Sequence, residues 1–226
     1  MKDLFLNYGI DISEEKLKKF EKYYELLVYY NTKFNITAIT EKIDVYKKHF
    51  IDSILGITLF DKGTLIDVGS GGGFPAIPLK IMNENLTVTL LEATGKKCEF
   101  LRTVINELGL INTVVINDRA ELISKVDNYR ESFDYCTARA VARLNTLCEY
   151  CMPFVKVGGS FIAFKGDAEE EIIEAKNAVN ILGGKIEKVI NTSLDDAKRT
   201  FISIKKIKET PLKYPRGNGK ERKNLL

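Results

Sequence analysis

The stretch Thr64-Leu65-Ile66-Asp67-Val68-Gly69-Ser70-Gly71-Gly72-Gly73-Phe74-Pro75 limits what this chain can fold into more than any other. It reads as a short apolar strand, a glycine turn and the first turn of a helix. Glycine alone lets a backbone turn through positive φ and approach a ligand closely. Pro75 suits a first helical turn, where its missing N–H has no intrahelical partner to lose. A strand, a tight turn and a helix in that order are the start of a βα unit. The spacing predicts free backbone N–H groups just past the glycines, open to a polar or anionic group.

Two cofactor classes use such a turn. The dinucleotide fingerprint G-x-G-x-x-G/A is met by Gly69 and Gly71, but Phe74 holds the third position, where a ring spoils close helix–strand packing. The pattern D-x-G-x-G-x-G is kept by Asp67, Gly69, Gly71 and Gly73, and it resembles the first motif of S-adenosylmethionine-dependent methyltransferases. Glu92 closes the next apolar run, Leu86-Thr87-Val88-Thr89-Leu90-Leu91, about 20 residues on, where an acidic residue is expected to take a ribose.

The rest of the chain fits the same plan. Residues 11–31 read as an amphipathic helix, with Asp11 and Glu14 as a capping box and Leu17, Phe20, Tyr24, Leu27 and Val28 at helical spacing. The tyrosines around it are read as packing against the main domain. Thr40 is expected to cap a second helix over 41–60. His49, the only histidine, is read as structural. From Gly63 onward strands (64–69, 86–92, 113–117, 133–138, 160–165) alternate with helices (75–83, 95–109, a short one after 118–121, 143–156, 168–182). Gly158-Gly159 are expected to close the helix before the fifth strand. Strands 185–192 and 198–207 read as a closing hairpin. The expected fold is α/β: a doubly wound, mostly parallel seven-stranded sheet of the Rossmann-like methyltransferase type with an N-terminal helical extension. The expected boundaries are 1–60 for the extension, 61–208 for the catalytic domain and 209–226 for a basic tail.

A hydrophobic content of 45% supports a full core. No apolar run approaches the roughly 18 residues that span a bilayer, and the start lacks a signal-peptide layout, so a cytoplasmic protein without a membrane role is expected. Cys148 and Cys151 are C-x-x-C in form, but they sit in a helical pattern without a second pair. They read as buried thiols, and no metal is expected. Net charge is only +3, yet Lys205–Leu226 carries eight basic residues against Glu209 and Glu221. Such a tail suggests either a polyanion partner or a solvated terminus.

In an open α/β sheet the ligand binds at the carboxyl ends of the strands near the switch point. That places Gly69, Gly71 and Phe74 beside the methionine part and ribose, and Glu92, Ala93 and Thr94 at the ribose and the start of the adenine. Ala120 would cover the adenine face, and Glu121 or a neighbouring backbone group bond its edge. Arg139 leaves the fourth strand into the cleft, where a buried guanidinium must be paired or bind an anion. It can clamp the cofactor carboxylate or an RNA phosphate, or form a structural ion pair. Lys165 ends the fifth strand at the same rim.

Further segments carry a closer likeness. They are Asn35-Ile36-Thr37-Ala38-Ile39-Thr40, His49-Phe50-Ile51-Asp52-Ser53-Ile54, Asp67 to Pro78, Leu91 to Leu101, Phe133 to Leu144, Phe164-Lys165-Gly166 and Tyr214-Pro215-Arg216. In order and spacing the chain resembles the bacterial small-subunit rRNA guanine-N7 methyltransferases, the glucose-inhibited division protein B family, over nearly its whole length. The resemblance implies S-adenosyl-L-methionine as cofactor, contacts at Gly69, Phe74, Ala120, Glu121 and Arg139 with Glu92 to Thr94 beside them, and 16S rRNA or the 30S subunit as partner. The C-terminal Pro215-Arg216-Gly217-Asn218-Gly219-Lys220-Glu221 departs from the family's usual Pro-Arg-Lys-Ala-Gly-Thr-Pro.

The residues agree with such chemistry by what they lack. Guanine N7 has an in-plane lone pair and no proton at neutral pH, so its attack on a sulfonium methyl needs no general base. No Asn/Asp-Pro-Pro-aromatic motif for exocyclic amines is present, nor a Pro-Cys setting for covalent cytosine C5 methylation. Catalysis by in-line placement remains, with Arg139 and Lys165 as candidates for orienting the RNA. The competing readings are a small-molecule methyltransferase and an assembly factor that binds the cofactor without methylating. A dehydrogenase is disfavoured by Phe74.

Overall fold

The computed structural model describes residues 1–226. A short helix α1 (Lys2–Leu6) precedes α2 (Glu14–Asn31). The N-cap of α2 is Ser13, whose hydroxyl accepts from the Lys16 N–H at 3.3 Å. Asp11 lies two residues too early to take that role, so the expected Asp11–Glu14 box does not form. Helix α3 (Lys42–Val45) follows Glu41, and the Thr40 side chain makes no cap. It continues through a π-helical stretch (Tyr46–Ile51) into α4 (Asp52–Ile54), and a 3-10 turn (Ile57–Leu59) ends the run. The wider π turn lies under the candidate site, a frequent place for such bulges.

The βα units then follow: β1 (Gly63–Val68), α5 (Ala76–Met82), β2 (Leu86–Glu92), α6 (Gly95–Glu107), β3 (Thr113–Asn117), α7 (Ala120–Ile123) and β4 (Phe133–Arg139). After α8 (Leu144–Cys151) come β5 (Val155–Lys165), α9 (Glu169–Glu174), α10 (Lys176–Ile181), β6 (Gly184–Leu194), β7 (Ala197–Lys206) and α11 (Lys220–Lys223). The seven-stranded sheet has the order β3-β2-β1-β4-β5-β7-β6. All pairs are parallel except those made by β7, which runs antiparallel between β5 and β6. The order reverses between β1 and β4, so the switch-point crevice opens there. Because β7 is reversed, its first residues, not its last, share the rim with the carboxyl ends of β4 and β5.

One expectation fails at the start of β5. Helix α8 stops at Cys151, and a single 3-10 turn holding Pro153 follows, since proline cannot donate to a continuing helix. Gly158-Gly159 therefore lie inside β5. A Cβ on Gly159 would sit 2.6 Å from the Asp134 carbonyl oxygen, and the β4–β5 register shifts between Phe133 and Tyr135. These glycines make a strand irregularity, not a helix end.

The two faces of the sheet are covered differently. On one, Phe5, Phe20, Tyr23 and Phe50 share a core with Leu65, Leu90 and Ile162 of the strands. The N-terminal helices are thus part of the main core. On the other, Cys148, Cys151 and Phe154 pack with Ile66, Ile202 and Tyr214. Burial pushes both thiols up, as expected of packed cysteines. The C-terminal segment is docked on this second face. Arg130 donates to the carbonyls of Thr210 (2.8 Å) and Tyr214 (3.1 Å), and Arg216 forks onto Glu149 at 2.6 and 2.9 Å. Its cations divide accordingly. Lys206 is buried against Glu131 at 2.9 Å, while Lys208, Lys213, Lys220, Arg222 and Lys223 are exposed. The freely solvated tail is corrected: the terminus is a structural wall whose outer face keeps its charge.

Candidate active site

The glycine turn is held from both sides. Tyr23, fully buried on α2, donates its hydroxyl to the Gly72 carbonyl. At Gly73 (φ +92°) a Cβ would lie 2.5 Å from Ile77 Cδ1, so only glycine fits. At Gly69 (φ +72°) a Cβ would meet Val141 Cγ2 at 2.9 Å. Several of the N–H groups expected to be free are already used, although those of Gly72 and Ala76 are not. Gly73 and Phe74 donate to the Ser70 carbonyl, and Gly71 donates to Glu92 Oε2 at 2.9 Å. The other carboxylate oxygen of Glu92 accepts from Thr94 N–H at 2.8 Å. The expected polar or anionic guest is therefore narrowed to a polar one: a carboxylate caps the turn, and it repels an anion while attracting a cation or hydroxyls.

Asp67, at the same strand end, is fully buried with neither carboxylate oxygen hydrogen-bonded. Burial pushes its pKa up to about 8, and Glu92 adds to the rise, against the Ser70 hydroxyl and the Arg139 guanidinium, which lower it. A buried acid without a partner is costly, so it marks a place where a cationic group is wanted. Beside it a cavity of about 460 Å³ is lined by Gly69, Leu91, Ala93, Ala120, Glu121 and Val141. Gly219 and Arg222 of the C-terminal segment form its outer wall. The wall also carries Asp118, Arg119 and Tyr150, so two carboxylates and two guanidinium groups are set among apolar side chains, with Asp67 and Glu92 at the strand ends beside it. This volume and mixed lining fit a nucleoside that carries a charged tail, the composition of S-adenosyl-L-methionine.

A second cavity of about 370 Å³ opens on the other side of the Arg139–Val141 crossing. It holds four cations, Lys48, Arg139, Lys165 and Arg199, and two carboxylates, Asp52 and Glu171. Arg139 is the centre of this side. It donates to Asp52 Oδ2 at 3.0 Å and lies over the Phe74 ring, 5.1 Å from the ring centre. Asp52 is itself buried, and its other oxygen takes Arg199 of β7. Burial lowers the Arg139 pKa and the Asp52 and Asp67 charges restore part of it. His49 stacks on Phe74 (ring centres 4.5 Å apart) and is bonded at both nitrogens: Nδ1 lies 3.4 Å from an Arg139 nitrogen, Nε2 2.8 Å from Thr37 Oγ1. Arginine can only donate, so Nδ1 accepts and Nε2 carries the proton. Burial and Arg139 push the ring down to about 4, which leaves it neutral and its lone pair occupied.

The candidate residues thus divide between the two sides. Gly69, Ala93, Ala120 and Glu121 line the first cavity, with Gly71, Glu92 and Thr94 bonded together at its edge. Phe74 does not place its ring there. The ring stacks on Tyr23 and His49, leaving only its backbone at the turn. Arg139 and Lys165 line the second cavity, and Lys165 is pinned to Glu171 (2.7 Å) and the Ala142 carbonyl (2.9 Å). Sequence reasoning missed Asp52, Glu171, Arg199 and the C-terminal wall. Asp52 had a signal, its place in His49-Phe50-Ile51-Asp52. Arg199 had none.

Residues 16–202 match the family described as rRNA small subunit methyltransferase G, GidB. The chain belongs to this family. Proteins named ribosomal RNA small subunit methyltransferase G are similar along almost its full length. The one from Lactobacillus johnsonii is 46% identical over 97% of this chain and 95% of its own. The one from Clostridium botulinum strain Alaska E43 is 48% identical over 93% and 91%. Among solved structures, a SAM-dependent methyltransferase from Aquifex aeolicus aligns with a TM-score of 0.53 at 17% identity, covering 71% of this chain and 92% of that one. A ribosomal protein L11 methylase from Lactobacillus delbrueckii subsp. bulgaricus aligns at 0.55 and 18%, over 71% and 79%. These last two show the fold. With its family, the chain is an S-adenosylmethionine-dependent rRNA methyltransferase.

Proposed function

We propose that this GidB protein methylates N7 of a guanine in 16S rRNA within the 30S subunit, in the cytoplasm, by holding the base in line with the methyl donor and using no general base. The observation that carries the reading is the pair of cavities at the β1/β4 switch point. One has a largely apolar wall in which Asp118 and Glu121 are balanced by Arg119 and Arg222, the other has four cations against two carboxylates, and the Arg139–Val141 segment contributes to both. The cofactor supplies a methyl group on a cationic sulfur. Asp67, Glu92 and the glycine turn hold its charged and hydroxyl-bearing parts, and Ala120 and Glu121 its base. Arg139, fixed by Asp52 and Phe74, presents donors to the RNA from beneath the crossing, and Lys165 adds charge at the rim. The polar groups are pre-set, so placement supplies the rate enhancement. His49 takes no proton, since Arg139 occupies its lone pair.

No helix is long and apolar enough to cross a membrane, and the exposed lysines near the C-terminus suit a polyanion. The test is to map N7-methylguanine in 16S rRNA from cells with and without the gene, and to add purified protein and labelled cofactor to 30S subunits from the deletion strain. One methyl group per subunit at a guanine N7 is expected. An unchanged N7-methylguanine map, or transfer to another atom, overturns the reading.

A further inference from the structure

The second cavity holds two carboxylates, and they differ in what they have left to offer. Asp52 is committed: its oxygens are taken by Arg139 and Arg199, and its side chain is 9% exposed. Glu171, on the first turns of α9, is 21% exposed. Its Oε2 accepts from Lys165 Nζ and from the Leu144 N–H, both at 2.7 Å. Those bonds fix the carboxylate in place and leave Oε1 without a partner. A fixed, ion-paired acceptor on the wall of a cationic cavity is a selective feature, because phosphate and carbonyl groups are repelled by it and only a donor is welcome.

Guanine is the base whose Watson–Crick edge offers two adjacent donors, the ring N1–H and the exocyclic N2–H. Adenine offers one donor and an acceptor there. We propose, resting on the guanine-N7 reading above, that Glu171 Oε1 accepts from the N1–H and N2–H edge of the target guanine and so both selects guanine and favours its methylation. The second effect follows from the charge balance. The N7 lone pair forms the new N–CH3 bond, the broken S–C bond pair stays on sulfur, and the base becomes the cation. Its N1–H and N2–H become stronger donors as that charge arrives. A carboxylate on this edge therefore binds the transition state better than the ground state, which is the condition for acceleration. Lys165 then acts on Glu171, holding the carboxylate in its pose, and is a positioning residue.

The test changes atoms on both sides of the contact. The 30S subunits are assembled with 16S rRNA that carries either guanosine or inosine, which lacks the N2 amino group, at the acceptor position. Single-turnover methylation is then measured. Wild-type protein should methylate the inosine subunits about 10- to 100-fold more slowly, the usual penalty when a built polar site loses its partner. Glu171→Gln and Glu171→Ala should be slowed to a similar degree on guanosine and should treat the two substrates alike within about 3-fold. Binding of S-adenosylhomocysteine by calorimetry should match wild type, showing the variants folded. Equal wild-type rates on guanosine and inosine overturn the proposal without reference to any variant, as does a folded Glu171 variant that still discriminates as wild type does. No methylation of guanosine subunits by wild type is a different outcome, and it removes the guanine-N7 reading itself.

Discussion

The two cavities differ in where their walls come from. The inner wall of the first comes from consecutive strand ends, β1 to β3, with Leu91 at the end of β2 and Gly69, Ala93 and Ala120 just past their strands, and Val141, Gly219 and Arg222 close it from outside. The second is assembled from segments far apart in sequence: Lys48 and Asp52 from the N-terminal helices, Arg139 from β4, Lys165 and Glu171 around β5, and Arg199 from the reversed strand β7. The contrast teaches a division of labour. On the reading proposed above, the cofactor side draws mainly on the sheet's own strand ends, while the acceptor side depends on additions: the N-terminal helices and the closing hairpin meet on one carboxylate, Asp52.

That division can be broken most directly at Arg139. Arg139→Ala should lower methylation of 30S subunits by at least about 100-fold, the scale of a lost positioning contact, while S-adenosylhomocysteine affinity falls less than about 5-fold by calorimetry. A loss of cofactor binding as large as the loss of methylation would erase the boundary between the cavities. Gly69→Ala probes the opposite side. Its φ of +72° and the 2.9 Å approach to Val141 should weaken cofactor affinity about tenfold, with methylation at saturating cofactor nearly unchanged.

Asp67 sharpens the comparison through pH. Its pKa is raised to about 8 by burial, so above the ordinary carboxylate range the folded protein binds more protons than the unfolded chain. Stability from this group is therefore full below about pH 4 and is lost as pH rises toward 8. Asp67→Asn should raise the midpoint of thermal unfolding relative to wild type at pH 8, reflecting a stability gain on the order of 2 kcal/mol, and the gain should shrink toward pH 5. Wild-type affinity for S-adenosylhomocysteine should rise between pH 6 and 8, and the variant's should stay flat. The smallest effect belongs to the outer face of the C-terminal wall. Lys213→Gln with Lys223→Gln should reduce the salt slope of RNA association by about 1.5 and leave cofactor affinity unchanged. An unaltered slope would remove these lysines from the RNA surface.

This contrast also sets what could be read from the chain alone. Strands β2 and β3 have the expected bounds, because alternating apolar runs end at Glu92 and Asn117 beside turn residues. The first cavity follows from those ends by rule. Gly158-Gly159 were read as a helix stop because a local pattern cannot tell a C-cap from a strand irregularity; the Asp134 carbonyl that demands glycine comes from a neighbouring strand. Arg199 and Glu171 were silent for the same reason. Each is an ordinary charged residue until the hairpin and α9 bring it to the rim. The basic terminus was legible as charge and illegible as structure, since Glu149 and Glu131, which dock it, lie about 70 residues upstream.

The wall made by Gly219 and Arg222 places some of the last residues to be synthesised at the mouth of the first cavity. A change in this segment therefore bears directly on the first cavity, however far it lies in sequence from the strand ends opposite it.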